Sequence, residues 1–289
     1  MLYQIGRICH EVFKTPVFIV QTYSGKRGGN RFHYPYDFPA ISIKKMLEMV
    51  TPDDVFFCNP VHSGHAFGLR LPCQKVMFLQ GVNTFTALDK HFDHYVSNST
   101  FVQQHTRKYY HVDSNVIHPF IHTELFNKGI PWKKRSNRIL LLTYKKETLY
   151  EFKQLMQRYL AKYPLGSLSF KRVQNLSQEQ LSTIMGRHKY YLTLTPVEGF
   201  GLPPLEAMSS GCVVFGFDGY GGRDYFTRNN SRVAEYHDYT PAIKFLYDID
   251  RYPDAVSHLS ENAMDTAKLF SFSRFKREWT RFLEKHIFR

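Results

Sequence analysis

Short apolar runs alternate with helix-like segments through the second half of the chain, and this alternation limits the possible folds more than any other feature. Apolar runs at 138–143, 168–173 and 189–195 are separated by segments of helical periodicity at 147–162 and 177–187. Strands separated by helices of this length form parallel sheets, because each helix returns the chain to the same end of the sheet. The sequence therefore predicts a doubly wound α/β architecture.

Local signals support individual elements. Ser177 is followed three residues later by Gln180, which is the pattern of a capping box at the start of a helix. Ser99 is placed to cap a second helix that begins at Thr100. Further strands are predicted in the first half of the chain, at residues 17–21, 55–58, 75–79, 94–98 and 115–120. Further helices are predicted near residues 41–50, 241–247, 254–269 and 273–286.

The length of 289 residues suits two domains better than one. Residues 128–137 contain Gly129, Pro131 and four basic residues, so this segment is the best candidate for a linker. The predicted division, in chain order, is an N-terminal domain (1–127), the linker (128–137), a C-terminal domain (138–271) and a closing helix (272–289) that could pack back on the first domain.

Composition narrows the class of protein. No apolar run approaches the roughly 20 residues that span a bilayer, and the N-terminus lacks the layout of a signal peptide. The four cysteines form no C-x-x-C pair, so we expect reduced, buried thiols and a cytoplasmic location. The net charge of +13 predicts anionic partners, either phosphorylated ligands, nucleic acid or an anionic membrane surface. The basic residues are dispersed rather than concentrated on one platform, so nucleic acid is not expected.

Residues 195–211 have the highest density of unusual residues, between apolar runs at 190–194 and 212–217. The glycines at 199 and 201 leave backbone N–H groups open to a ligand, and Pro203-Pro204 suits the start of a helix whose N-terminus favours phosphate. We place Glu206 in the first turn of that helix, where its carboxylate can accept hydrogen bonds from a vicinal diol. Taken singly, a first-turn glutamate can also stabilise a helix without any ligand.

The run Glu198-Gly-Phe-Gly-Leu-Pro-Pro-Leu-Glu206-Ala-Met-Ser-Ser-Gly211 resembles the signature of retaining GT-B glycosyltransferases (glycosyl transferases group 1, family 4-like). Residues 218–224 are similar to the glycine-rich loop that follows the next strand in that family. Residues 94–126, 177–187 and 270–279 also resemble family segments, so the similarity extends over residues 90–289 and is loose before that.

The resemblance implies two Rossmann-like domains with parallel sheets facing across a cleft. It implies that the short N-terminal domain (1–127) binds the acceptor and that the C-terminal domain (138–271) binds the nucleotide sugar. It implies that Glu206 binds ribose hydroxyls, while Glu198 and the loop N–H groups bind the sugar and phosphate. The donor-binding residues implied in this loop are Glu198, Gly199, Phe200, Gly201, Leu202 and Glu206. No metal and no cofactor are expected, because cationic side chains and a helix N-terminus would neutralise the leaving diphosphate.

The cationic half of the donor site departs from the family pattern. The family has an arginine and then a lysine five positions later, whereas this chain has Thr143-Tyr144-Lys145-Lys146-Glu147. Lys145 or Lys146 could take the role of the family lysine, and Arg223 could supply the missing arginine charge.

Candidates in the first half of the chain are weaker. Gly28 and Gly29 belong to a basic glycine-rich loop after the first predicted strand, either an acceptor-side loop or a plain surface turn. His62 and His65 follow another strand, and the family often has a cleft histidine there, although an ordinary surface histidine is the simpler interpretation.

Two further clusters are not expected to function. Asp89, His91, Asp93 and His94 are assigned to a solvated face rather than to a metal site. The Asp248-Ile249-Asp250 sequence, typical of metal-dependent GT-A enzymes, is assigned to a position after a helix rather than beside a nucleotide.

The sequence thus predicts a metal-independent retaining glycosyltransferase of the hexosyltransferase type. It would move a sugar from a nucleotide-diphosphate sugar to a hydroxyl of a glycan or lipid-linked acceptor, with peripheral contact to an anionic membrane as one option. The candidates for catalysis are Glu198, His62, His65, Lys145 and Lys146. The alternatives are a GT-B nucleotide-sugar epimerase and a non-catalytic module that binds sugar nucleotides or polyanions.

Overall fold

The chain forms two compact units in the computed structural model, which describes residues 1–21, 38–127, 130–143, 146–164 and 168–288. The first unit comprises Met1–Asn98, Gln103–Ile117 and Phe275–Arg289. The second comprises Ser99–Val102 and His118–Arg274.

Strands and helices alternate along most of the described chain. The strands are β1 (Ile19–Gln21), β2 (Ala40–Ser42), β3 (Val55–Cys58), β4 (Gln74–Leu79), β5 (His94–Ser97), β6 (Asn115–Val116), β7 (Ser136–Leu142), β8 (Phe170–Val173), β9 (His188–Thr193), β10 (Val213–Phe217) and β11 (Ser231–Ala234). The helices are α1 (Leu2–Phe13), α2 (Ile43–Met49), α3 (Phe67–Arg70), α4 (Thr100–Tyr110), α5 (Lys146–Lys162), α6 (Gln178–Gly186), α7 (Leu202–Ser209), α8 (Thr240–Arg251), α9 (Ser257–Lys268) and α10 (Phe272–His286). None of the described helices is both long and apolar enough to cross a membrane.

The first unit contains a parallel sheet of four strands in the order β3-β4-β5-β6 and a separate parallel pair, β1-β2. Strand β4 lies in the middle of the larger sheet and is buried from Lys75 to Leu79, as expected of a strand covered on both faces. Trp279 of α10 is fully buried, and its ring contacts Phe78 and Phe57 edge to face. These large aromatic contacts anchor the core of this unit.

The second unit contains a parallel sheet of five strands in the order β11-β10-β9-β7-β8. Side chains alternate between its two faces, as the pleat requires. Leu140 and Tyr191 pack in a cluster with residues of α6, α7 and α9. Ile139 and Leu192 pack in a second cluster with residues of α5 and α8. The sheet is therefore covered by helices on both faces, and the predicted doubly wound α/β class is confirmed.

Several predicted elements are confirmed, and some predictions are wrong. The Ser177–Gln180 capping box is present, with both of its hydrogen bonds. The strand predicted at 115–120 is too long: it ends at Val116, because only Asn115 and Val116 pair with β5. Strands β2 and β11 were not predicted, since each is a run of only three or four residues.

The segment predicted as a linker, residues 128–137, falls within the second unit. Its described part includes a 3-10 helix (Trp132–Lys134) and the first residues of β7. The buried guanidinium of Arg135 donates hydrogen bonds to the carbonyls of Ile130, Ser210 and Gly211 and so ties this segment to the end of α7. The domain boundaries given above stay a prediction.

Candidate active site

The loop between β9 and α7 lies beside a second glycine-rich loop that follows β10. The N–H of Glu198 donates to the carbonyl of Gly219 at 2.9 Å, and Glu198 forms a bridge with Tyr220. A Cβ placed on Gly221 would lie 2.3 Å from the carbonyl oxygen of Gly199, so only glycine permits this approach. The two loops therefore form one structure at the carboxyl ends of β9 and β10, where ligands of open parallel sheets bind.

Helix α7 begins at Leu202, one residue before Pro203-Pro204. Gly201, which precedes it, has φ +85°, a left-handed conformation that side chains disfavour. The two prolines occupy the first turn, where their missing N–H groups leave no hydrogen bond unmade. Glu206 is consequently the fifth helical residue rather than a first-turn residue, and the prediction that placed it in the first turn is wrong.

The carboxyl group of Glu206 is buried, with only 8% of the residue exposed. Burial raises its pKa from 4.5 to about 7. Within the described parts of the chain, this carboxyl group has no hydrogen-bond or ion-pair partner. A buried carboxylate without partners is unfavourable in free energy. The helix dipole stabilises glutamates in the first turn, so it does not explain the presence of Glu206 at the fifth position.

Two buried hydroxyls hold the carbonyls of the first loop. The Ser99 hydroxyl donates to the Gly199 carbonyl at 2.5 Å, and the Tyr225 hydroxyl donates to the Gly201 carbonyl at 2.6 Å. Burial raises the pKa of Tyr225 well above its ordinary value, so the phenol remains a donor. We call these two hydrogen bonds the carbonyl clamp. Phe200, between the clamped residues, is 3% exposed and packs on the Tyr225 ring, so its side chain belongs to the core.

Asp224 connects the second loop to the start of α4. Its carboxylate accepts a hydrogen bond from the N–H of Thr100 at 2.8 Å and lies 2.9 Å from Nε2 of His118. Arg274 lies 3.3 Å from the other ring nitrogen of His118 and donates to its carbonyl. Burial acts to raise the pKa of Asp224, but the hydrogen bonds from His118 and Thr100 outweigh it, and the pKa is lowered. This network fixes Asp224, and with it the end of the second loop.

A small cleft opens at the carboxyl ends of β7 and β9. It is lined by Leu142, Thr148, Tyr191, Leu192, Thr193, Leu194, Thr195, Glu198, Pro203 and Pro204. Thr148 is 2% exposed, and its hydroxyl has no hydrogen-bond partner in the described structure. Sequence reasoning missed this residue. The available signal was its position on the buried stripe of α5, which continues through Glu151 and Leu155.

Of the three predicted cations, Lys145, Lys146 and Arg223, the structure describes two. Lys145, with Gly28 and Gly29, lies outside the described residues. Lys146 is the exposed first residue of α5, and it does not line the cleft. Arg223 forms ion pairs with Asp218 of its own loop at 2.7 Å and with Glu235, which follows β11, at 2.9 Å, so its charge is balanced by these carboxylates.

The two predicted histidines lie in the first unit, in a 3-10 helix (Pro60–His65) that follows β3. Burial and the neighbouring His65 lower the pKa of His62. The His65 ring stacks on Phe67 with centroids 5.1 Å apart. The structure thus brings His62 and His65 together at the end of one strand, and their catalytic role stays a prediction.

Two expectations about other acidic residues are wrong in detail. Asp89 is not on a solvated face, because it is 8% exposed and accepts hydrogen bonds from the N–H groups of Gly68 and His91. Asp248 and Asp250 lie inside α8 rather than after a helix, since α8 continues to Arg251. Among the residues that the structure describes, no group of three or more histidine, cysteine or acidic residues could hold a metal ion.

Comparison with known proteins shows which family this chain resembles in sequence. Residues 151–250 match the family model described as Glycosyl transferases group 1. The Alpha-1,6-glucosyltransferase of Actinobacillus pleuropneumoniae serotype 7 (strain AP76) is 31% identical over 107 residues, which make up 37% of this chain and 31% of that protein. This chain therefore spans about a third of the length of that relative.

Two solved structures show the same fold. Sucrose-phosphate synthase from Thermosynechococcus elongatus has a TM-score of 0.70 at 12% identity, over 98% of this chain and 92% of that chain. The pneumococcal O-GlcNAc transferase solved with UDP and GlcNAc has a TM-score of 0.62 at 12% identity, over 85% of this chain and 60% of that chain. The fold is thus that of the GT-B glycosyltransferases. The resemblance to glycosyl transferases group 1 that the sequence indicated is confirmed.

Proposed function

We propose that the protein is a retaining glycosyltransferase that moves a sugar from a nucleotide-diphosphate sugar to a hydroxyl of a glycan or lipid-linked acceptor. The observation that carries the proposal is the buried carboxyl group of Glu206 without a partner in the described structure. A ribose supplies two adjacent hydroxyls, which are the donors that an ionised carboxylate accepts. Binding the donor would satisfy this group, which the unliganded protein leaves unsatisfied.

The remaining parts of the donor have partners in the same unit. The N–H groups between Gly199 and Leu202 lie next to the start of α7, where backbone donors and the helix dipole favour phosphate. Glu198 lines the cleft beside them and is assigned to the sugar hydroxyls. The pneumococcal relative in fold, solved with UDP and GlcNAc, supports a nucleoside diphosphate as the ligand class.

Catalysis is assigned to orientation of the donor and to stabilisation of the leaving diphosphate. Backbone N–H groups would take up the developing negative charge, and Lys145 and Lys146 are the candidate cations that the sequence indicates. Metal independence, retention of configuration and a cytoplasmic location are parts of this proposal. The buried, unpaired state of the four cysteines supports such a location. The net charge of +13 supports an anionic membrane surface as the source of a lipid-linked acceptor.

The first experiment is a thermal-shift and calorimetric screen against UDP, GDP and dTDP, followed by donor hydrolysis and transfer with the matching nucleotide sugars. A ligand that binds only the folded protein raises its melting temperature. We expect one base to be preferred, and Glu206→Ala to weaken that binding more than about tenfold, because a hydrogen bond to a charged group contributes about 1.5–3 kcal/mol.

Each alternative has its own outcome in this screen. A weakening of less than tenfold in Glu206→Ala would remove the ribose assignment. Turnover of the donor with no acceptor present, giving an altered sugar, would indicate an epimerase. Binding without any turnover would indicate a non-catalytic module, and tight RNA binding with a steep salt dependence would point to a polyanion-binding role.

A further inference from the structure

The carbonyl clamp determines where the neighbouring N–H groups point. In a planar trans peptide, the C=O of one residue and the N–H of the next point in opposite directions. Ser99 holds the Gly199 carbonyl, so the N–H of Phe200 points away from Ser99. Tyr225 holds the Gly201 carbonyl, so the N–H of Leu202 points away from Tyr225.

Both of these N–H groups remain available to a ligand. Neither the N–H of Phe200 nor that of Leu202 has an acceptor among the described residues. Leu202 is the first residue of α7, so its N–H has no helical partner either. Two donors beside one helix N-terminus form a site of the kind that oxygen-rich anions occupy.

The clamp is needed because the backbone here is otherwise free to reorient. Glycine accepts both positive and negative φ at little cost, so the Gly199–Phe200 and Gly201–Leu202 peptides could each flip and turn their N–H groups inward. The clamp hydroxyls come from two separate segments of the chain, and both residues are nearly inaccessible, Ser99 at 0% and Tyr225 at 3% exposed. A flip of either peptide would leave a buried hydroxyl and a carbonyl unpaired, which is unfavourable.

We propose that Ser99 and Tyr225 are positioning residues that aim the N–H groups of Phe200 and Leu202 at the diphosphate and sugar oxygens of the donor. This inference rests on the proposed function. Neither residue touches the donor in this assignment, and each acts through the peptide that it holds. The nucleoside end of the donor, assigned to Glu206, does not depend on the clamp.

Tyr225→Phe is the main test, because it removes only the hydroxyl and keeps the ring that packs on Phe200. The control is Tyr190→Phe, which removes a phenol that donates to the carbonyl of Pro253 in the same unit. The probes are the nucleoside diphosphate that the wild type binds best among UDP, GDP and dTDP, and the corresponding nucleoside. Calorimetry gives both affinities, and thermal unfolding gives the stability of each variant.

We expect Tyr225→Phe to weaken diphosphate binding about 10- to 100-fold, the range for losing one or two hydrogen bonds to a charged group. Nucleoside binding should stay within about twofold of the wild type, because the clamp does not reach that end of the donor. Tyr190→Phe should lower the melting temperature similarly and leave both affinities unchanged. A Tyr225→Phe protein that binds the diphosphate like the wild type, or that loses nucleoside affinity equally, would overturn the proposal.

Ser99 provides an independent second test. Its hydroxyl also accepts a hydrogen bond from the N–H of Val102 and so caps α4. Ser99→Ala loses both interactions, whereas Ser99→Thr keeps a hydroxyl, so diphosphate affinity should fall in the first variant and recover in the second. Failure of the threonine variant to recover affinity, at wild-type stability, would contradict the clamp. If the wild type binds none of the three diphosphates, the proposed function itself fails. If the wild type binds one of them and the variants bind it equally well, only the clamp proposal fails.

Discussion

Two segments follow the carboxyl ends of parallel strands, one in each unit, and they are built in opposite ways. The loop after β9 is tightly packed, with Phe200 3% exposed and a second loop pressed against its backbone. The turn after β3 is open, with Val61 59% exposed. A Cβ added to Gly64 in that turn would meet nothing within 4 Å.

Under the proposed function, this difference in packing would separate recognition of an invariant part of a ligand from recognition of a variable one. A loop whose peptide orientations are fixed by buried hydroxyls suits a ligand portion that never varies, such as a diphosphate. Under the proposed function, the open turn that carries His62 and His65 would meet the variable acceptor, since exposed turns tolerate changes of side chain. The following predictions test this contrast, from the largest expected effect on diphosphate affinity to the smallest.

Alanine substitution of one glycine in each unit gives the strongest contrast. Gly221→Ala would place a Cβ 2.3 Å from the Gly199 carbonyl, so the two loops must separate. We expect a loss of about 3 kcal/mol in unfolding free energy and of about 100-fold in diphosphate affinity. Gly64→Ala should change neither quantity. Calorimetry and denaturant unfolding measure both, and equal effects of the two substitutions would remove the proposed contrast.

Glu206 should make stability depend on pH. Its pKa rises from 4.5 to about 7 on folding, so between these pH values the folded protein holds a proton that the unfolded chain has released. The unliganded wild type therefore loses stability as pH rises from about 4.5 to about 7, by up to about 3 kcal/mol. Glu206→Gln cannot ionise, so it should exceed the wild type in stability at pH 8 and approach it near pH 4.5.

Denaturant unfolding at pH 4.5 and pH 8 checks this expectation, with the exposed Glu284→Gln as the control. The control should shift stability equally at both pH values. A Glu206→Gln difference that is the same at both pH values would contradict a raised pKa. The same variant should bind the diphosphate more weakly, which would show that the group that destabilises the free protein serves the ligand.

Removal of the Thr148 hydroxyl should have a moderate effect on diphosphate affinity. Thr148→Val keeps the shape of the side chain and removes a hydroxyl that has no partner in the described structure. Stability should therefore stay constant or rise slightly, while diphosphate affinity falls about three- to tenfold if the hydroxyl meets the donor. Thr183→Val on α6, which removes a hydrogen bond to the carbonyl of Glu179, is the control for loss of a threonine hydroxyl. Lower stability with unchanged affinity would assign Thr148 to the core alone.

The smallest effect on diphosphate binding is expected from His62. His62→Ala removes a side chain whose ring neighbour is His65 in its own turn, so diphosphate affinity should stay within about twofold. If the catalytic assignment holds, the rate of sugar transfer should nevertheless fall at least about tenfold. Calorimetry and a transfer assay separate the two quantities. Unchanged transfer would make this histidine a surface residue.

The sequence was sufficient for the α/β class and for the family resemblance, because strands, helices and the Glu198–Glu206 run are local patterns. The helix start was misplaced by one residue, because a proline is compatible with the second helical position as well as the first, and the sequence does not separate the two. The burial of Glu206 also depends on tertiary packing. A carboxylate at that position gives no sequence signal of its exposure.

The carbonyl clamp could not be predicted from the sequence, for a different reason. Ser99 and Gly199 are separated by 100 residues, and Tyr225 and Gly201 by 24. In the sequence, Ser99 is a helix cap and Tyr225 is an aromatic residue after a glycine-rich loop. Their hydroxyl contacts appear only when the fold brings these segments to one strand end. Thr148 was missed similarly, because a threonine in a helical pattern does not reveal a missing hydrogen-bond partner.

The close approach of Gly221 to Gly199 also bears on how the protein acquires its site during synthesis. The segment with Glu198 leaves the ribosome before the segment with Gly219 and Gly221 that fixes it. A nascent chain that has emerged only through β10 contains every strand flanking the site and still lacks the residues that shape it. Under the proposed function, competence to bind a donor should therefore appear only after both Tyr225 and α9, which packs on α7, have emerged.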